Sequence, residues 1–185
     1  MRQSQFKKGT IYVTAGSLWW GILGVFFFKY ISFMGALEVT VHRLIWTCLI
    51  LFLSTIFFKK FHILKKILKQ RKKVFILFLS SILIFLNWGT WIYAISIDKI
   101  IDASYGYFIF PIINVFLGYV FLKEELNLRR IVSIIIVILS SIYLIFNFEN
   151  FPWVGLIVAF LWSFYNLLRK KINVDTDIGL FIESL

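Results

Sequence analysis

The chain has 185 residues, 61% hydrophobic and 16% charged, with twenty Lys and Arg against nine Asp and Glu and a formal net charge of +11. A mean hydropathy of +0.88 argues against an ordinary soluble domain, in which about a quarter of residues carry charge; without such a domain the excess of basic residues does not read as a nucleic-acid surface. The single cysteine, Cys48, excludes an intrachain disulfide framework, and His42 and His62 stand too far apart in environment to suggest a metal cluster.

A bilayer core offers no water to backbone amides, so a spanning segment needs roughly 20 mainly apolar residues in a helix. Six runs qualify: 9–28, 38–58, 74–97, 101–122, 131–148 and 152–168, each bounded by charged or polar residues. Barrel strands alternate strictly over about ten residues, whereas IVSIIIVILSSIYLIF is continuously apolar. The expectation is an all-α integral membrane protein with six transmembrane helices in contact with the lipid bilayer.

The first run follows Arg2, Lys7 and Lys8, but it is longer than a signal-peptide core and no small-residue cleavage site follows, so it reads as a permanent helix. Ser17, Gly21 and Gly24 share one face of it, a seam that lets another helix approach closely. The second run opens on Glu38, His42 and Arg43. From Leu44 to Phe58 there are fifteen residues, only about 22 Å of helix, so a full span draws His42 and Arg43 into the apolar slab. Glu38 and His42, one turn apart, can hydrogen-bond and are proton-coupling candidates by residue type. Arg43 points elsewhere, with Asp98 or Asp102 as partners from another helix. The trio reads either as a partly wet vestibule or as passive charge at a helix end.

The segment KKFHILKKILKQRKK follows, in which Phe61, Leu64 and Leu68 share a face. It either lies along an anionic leaflet or simply retains positive charge on one side. The third run carries Asn87, whose amide should face protein or a wet cavity, with Thr90 and Ala94 on the same side. In the fourth, Ser104, Tyr107, Pro111, Asn114 and Gly118 fall in one stripe that suits a cavity lining or a kinked packing helix.

Seventeen of the twenty basic residues fall in the N-terminal tail, 59–73, 123–130 and 169–171, while the alternate loops hold only Lys29 and Lys99 and Arg43 lies inside a run. Positive charge stays in the cytoplasm, which places the N-terminus there. A further pattern joins Leu18-Trp19 to Leu161-Trp162, each followed by a basic stop and then an acid, Glu38 or Glu183. The period is five helices, so the second copy would insert upside down, as in transporters whose substrate site lies where inverted copies meet. Residues 1–148 would then form one five-helix repeat and 149–185 the start of an inverted second, truncated repeat that another chain could complete.

His42-Arg43-Leu-Ile-Trp46, Asn87-Trp88, Ser104-Tyr-Gly-Tyr107-Phe108, Pro111 with Asn114 and Gly118, Glu124, and Arg169-Lys-Lys-Ile172 leading to Ile182-Glu-Ser-Leu185 occur in one order along nearly the whole chain. In these the sequence resembles the RarD group of the EamA branch of the drug/metabolite transporter superfamily. The resemblance implies a ten-helix, two-repeat permease of the bacterial inner membrane, of which this chain covers about the first six helices. Phe110 and Lys123 depart from the pattern, standing where relatives tend to asparagine and glycine. The implied function is secondary transport of a small metabolite or drug-like molecule, with Arg43, Asn87, Trp88, Ser104, Tyr107, Pro111 and Asn114 binding substrate or lining its cavity. Neither a metal nor a cofactor is called for, and no ATP-binding or hydrolase motif is present. The alternative is a non-transporting membrane subunit or assembly partner.

Overall fold

A computed structural model describes the backbone of residues 2–146 and 151–185 and the side chains from residue 7 within them. All regular secondary structure among the described residues is helical. In chain order they form α1 (Arg2–Leu18), a π-helical stretch (Trp19–Gly24), α2 (Val25–Tyr30), α3 (Ala36–Phe57), α4 (Phe61–Leu68), α5 (Arg71–Ser96), α6 (Ile100–Leu122), α7 (Leu128–Ile145), α8 (Trp153–Ile172) and α9 (Thr176–Glu183). The stretch joining α1 to α2 keeps right-handed helical dihedrals at both ends, so residues 2–30 make one rod.

Among the described residues, five helices are long and apolar enough to cross a membrane: Lys7–Tyr30, Ala36–Phe57, Arg71–Ser96, Ile100–Leu122 and Leu128–Ile145. Their bounds match the expected runs to within a few residues, although the last two positions of 131–148 and the 148/149 unit boundary lie outside the described residues. The sixth expected run falls in α8, which has 20 residues. It is not in the apolar class of the other five, because Ser163, Tyr165 and Asn166 interrupt it and Arg169, Lys170 and Lys171 close it.

Helix α8 nevertheless forms the two most extensive helix–helix contacts of the bundle. Its most extensive contacts are with α6 and then α5; α3 and α9 pack on α5, α7 packs on α6, and the first rod reaches α5 through Val25–Tyr30. The α6–α8 crossing depends on two glycines. A Cβ added to Gly106 would stand 2.4 Å from the Gly155 carbonyl oxygen, and one added to Gly155 would stand 2.2 Å from that of Asp102, so these backbones touch where membrane helices use small residues to do so. The Asp102 carboxylate also accepts from the Gly155 N–H at 2.9 Å, placing negative charge at the start of α8, where unbonded N–H groups and the helix dipole favour it.

The expected seam in the first rod is not engaged in this way. A Cβ on Gly21 would meet nothing within 4 Å, and one on Gly24 would meet only the Trp20 ring. The π turn shifts helical phase within the seam, so a 3.6-residue projection does not describe its faces. In α4, Leu64 and Ile67 are buried and join Leu77, Ile178 and Phe181 in one cluster. Its apolar side therefore serves α5 and α9, although Leu68 remains exposed.

Four helix ends are closed by non-glycine residues with positive φ: Lys59, Asp98, Lys123 and Asn173. Lys60 N–H reaches Thr55 O, Lys99 N–H reaches Ala94 O and Glu124 N–H reaches Gly118 O, long-reach bonds of the kind that satisfy carbonyls orphaned at a helix C-terminus. The chain folds back and forth between two ends. Lys29 pairs with Asp98 at one; Lys60 pairs with Asp177, and Glu124 with Arg130 and Lys170, at the other.

The chain leaves 13008 Å² accessible, against about 9,300 Å² expected for a compact monomer of its mass. The surplus is apolar: Trp46, Leu49 and Leu53 on α3 and Ile135, Ile136 and Leu139 on α7 are all exposed. In water such faces would aggregate. Against lipid tails they need no cover.

Candidate substrate site

Arg43 enters the bundle because it shares a face of α3 with Val39 and Thr40, one turn before it and both buried. Glu38 and His42 point the other way and are exposed. No hydrogen bond joins them among the described residues, so the geometry separates the expected trio into one inward cation and two outward groups. Neither expected carboxylate reaches Arg43 either, for Asp98 is taken by Lys29 and Asp102 by the start of α8.

Aromatic rings surround Arg43 instead. Its guanidinium carbon lies 3.8 Å from the Trp88 ring centroid, 5.0 Å from that of Trp20 and 5.6 Å from that of Phe28, all within cation–π range. Among the described residues, Nη1 is buried with no hydrogen-bond partner. The rings offset part of the cost of holding a cation away from water, but a π face accepts no N–H in the plane of the guanidinium. A buried donor left this way costs about 1–3 kcal/mol.

Beside the guanidinium is a cavity of about 310 Å³ lined by Trp20, Arg43, Asn87, Trp88, Trp91, Tyr107 and Trp162. It draws one wall each from the first rod, α3, α6 and α8, with three side chains from α5. Asn87 is 5% exposed, and its Nδ2 donates to the Val158 carbonyl at 3.0 Å, which ties α5 to α8 behind the cavity. Tyr107 meets Trp91 edge to face at 5.4 Å between centroids. Tyr107 itself is 38% exposed. Among the described residues, no carboxylate lines the space.

Of the residues expected to form a site, Arg43, Asn87, Trp88 and Tyr107 are brought together here. The α6 stripe does not stay in one cavity. Pro111 lines an apolar cleft against α7, while Asn114 and Gly118 line a separate cavity of about 250 Å³ with Glu124, Arg130, Asn166 and Lys170. Ser104 lines none of these three. A stripe as tall as Ser104–Gly118 is longer than any one cavity, and α7 and α8 divide it between them.

Trp20, Trp91 and Trp162 were not singled out as walls by residue type, since tryptophan serves equally at membrane interfaces. The Leu-Trp pairing carried a partial signal. It aligned Trp19 with Trp162, but Trp19 is 68% exposed and its neighbour Trp20 is the one that lines the cavity together with Trp162.

A second polar cluster lies toward the opposite end. The Glu183 side chain is fully buried; Ser80 Oγ donates to its Oε1 and Tyr165 OH to its Oε2 at 3.1 Å. Arg169 Nε stands 3.6 Å from Oε1, and a Cβ on Gly179 would strike this guanidinium. Sequence comparison of the copies marked Glu183 as the counterpart of Glu38. In the structure the two differ sharply, one buried and paired and the other exposed.

Comparison with known proteins agrees with this architecture. Residues 7–146 match the model of the EamA-like transporter family. The chain is 33% identical to an uncharacterized transporter of Bacillus subtilis, YojE, over all of its own length and 62% of that protein. It is 32% identical to Protein RarD of Salmonella typhimurium, over all of its length and 63% of the relative, and 31% identical to an uncharacterized transporter of Vibrio cholerae, over 99% of its length and 60% of the relative. It thus spans about three fifths of the curated relatives it matches. No solved structure matches the chain. With the family model covering most of its length and relatives of the RarD type along all of it, the chain belongs to the EamA-like transporter family.

Proposed function

We propose that the chain is the substrate-holding portion of a secondary transporter that moves a small metabolite or drug-like molecule across the bacterial inner membrane. The observation that carries this reading is the 310 Å³ cavity around Arg43. It is a concave, mainly aromatic space with few polar groups, at the lower end of the size range for small-molecule sites. Walls from five separate rods let relative motion of those rods open it to either side, which is the requirement of alternating access. Helix α8 is the sixth span in this reading: the spanning helices α5 and α6 flank it, and its polar residues face protein. The further helices that longer relatives possess would complete the bundle.

The sorting of basic residues supports a cytoplasmic N-terminus and, with it, a position for the cavity in the outer half of the bilayer. Glu38 and His42 lie outside the cavity and stand as proton-coupling candidates on residue type alone. Two measurements test the reading. Cysteines introduced at Lys65 and Lys99 should be labelled from opposite sides of the membrane; labelling from one side removes the topology. Asn87→Ala and Trp88→Ala should abolish uptake or efflux by the full-length protein while leaving its insertion intact. Full transport by both variants would move the site elsewhere and favour the non-transporting subunit.

A further inference from the structure

The unpartnered guanidinium of Arg43 restricts what the cavity can hold. A cation within the membrane is costly and is normally matched by an acid, a carbonyl or water. Here Trp88 stacks on the guanidinium, yet among the described residues Nη1 is buried without an acceptor and no carboxylate lines the space. An aromatic enclosure that already contains a cation is a poor host for a second one. Its missing complement is negative charge, delivered as oxygen acceptors in the guanidinium plane, the geometry in which arginine holds a carboxylate most strongly. The remaining surface is set by Trp20, Trp91 and Trp162, whose flat faces suit stacking on a planar ring, and the 310 Å³ volume admits a small one.

We infer that the cavity selects a small aromatic carboxylate, its anionic group on Arg43 and its ring among the indoles. This rests on the cavity being the substrate site and adds the charge and shape of what enters it. Arg43 is then the specificity-determining residue. A neutral amide analogue still offers one carbonyl acceptor to that donor but not the charged two-oxygen pairing, and it loses affinity for that reason.

The lining tryptophans supply the readout. Full-length protein in lipid nanodiscs is titrated with benzoate, benzamide and benzylammonium, following intrinsic fluorescence up to roughly 10 mM ligand. Benzoate should quench saturably at a concentration about tenfold or more below benzamide, with benzylammonium weakest. Arg43→Gln should bring benzoate and benzamide within about twofold of each other, and Arg43→Lys should keep a reduced preference for the anion. If Arg43→Gln does not fold, the order of the three probes on the unaltered protein still decides.

Benzamide binding as tightly as benzoate, and weakened by Trp162→Ala, overturns the charge selection while the cavity stands as a binding site. Benzoate binding unchanged by Trp162→Ala overturns the cavity itself as the site. No saturable quench by any probe overturns the inference, and it points to a carboxylate from the rest of the transporter as the partner of Arg43.

Discussion

Lys123 closes α6 with a φ of 54°, a conformation that costs an L-residue with a Cβ about 1–2 kcal/mol and that glycine adopts freely. The resemblance implies a glycine at this position, and a glycine would adopt this backbone without that cost. Lys123→Gly should therefore raise stability by about 1 kcal/mol, read as an upward shift of the thermal midpoint in detergent. Asn87 and Arg43 were legible as inward residues because an amide and a guanidinium deep in an apolar run have few other places to go. The partner of Arg43 was not legible. Spacing favoured Asp98 or Asp102, and only the fold shows that each already serves another cation or a helix start.

At the scale of elements, the ends of the spans could be read from charge because Lys29, Lys59 and Lys123 mark places where burial stops. Which helix touches which was not written in hydropathy, since a lipid-facing leucine and a core leucine have the same transfer energy. Gly106 and Gly155 show the difference. Nothing in the apolar pattern of α6 separates Gly106 from Gly118, yet the first admits α8 to backbone contact while the second faces the Glu124 side chain. Gly106→Ala or Gly155→Ala should force α6 and α8 apart and destabilise the bundle by about 1–3 kcal/mol. Gly89→Ala, whose Cβ would meet only Thr40 Oγ1 at 3.7 Å, should be close to neutral. Thermal unfolding of the three variants in one detergent distinguishes them.

At the scale of the whole molecule, the end opposite the Lys29–Asp98 pair is fastened by Glu124, which bonds Lys170 of α8 and Arg130 of α7. The hydrogen bond from Lys170 is the main reason that the Glu124 carboxyl is held below its ordinary 4.5. A lowered folded value means that the clasp contributes fully above the ordinary carboxylate range and loses its contribution as pH falls through the folded value. Unfolding midpoints measured from neutral pH down to about 3 should drop less for Glu124→Gln than for the unaltered protein, because the variant has no such group to protonate.

The π-helical Trp19–Gly24 stretch also acts on the whole first rod. Each residue of an α-helix advances side chains by about 100°, and a π turn holds an additional residue in its loop of hydrogen bonds. The rod is therefore a camshaft with two lobes set at different angles, Val25–Tyr30 seated on α5 and Arg2–Leu18 turned relative to it. Removing one residue between Trp19 and Gly24 would re-index the distal lobe without unseating the proximal one, presenting a different strip of Ile11, Tyr12 and Val13 to whatever adjoins it.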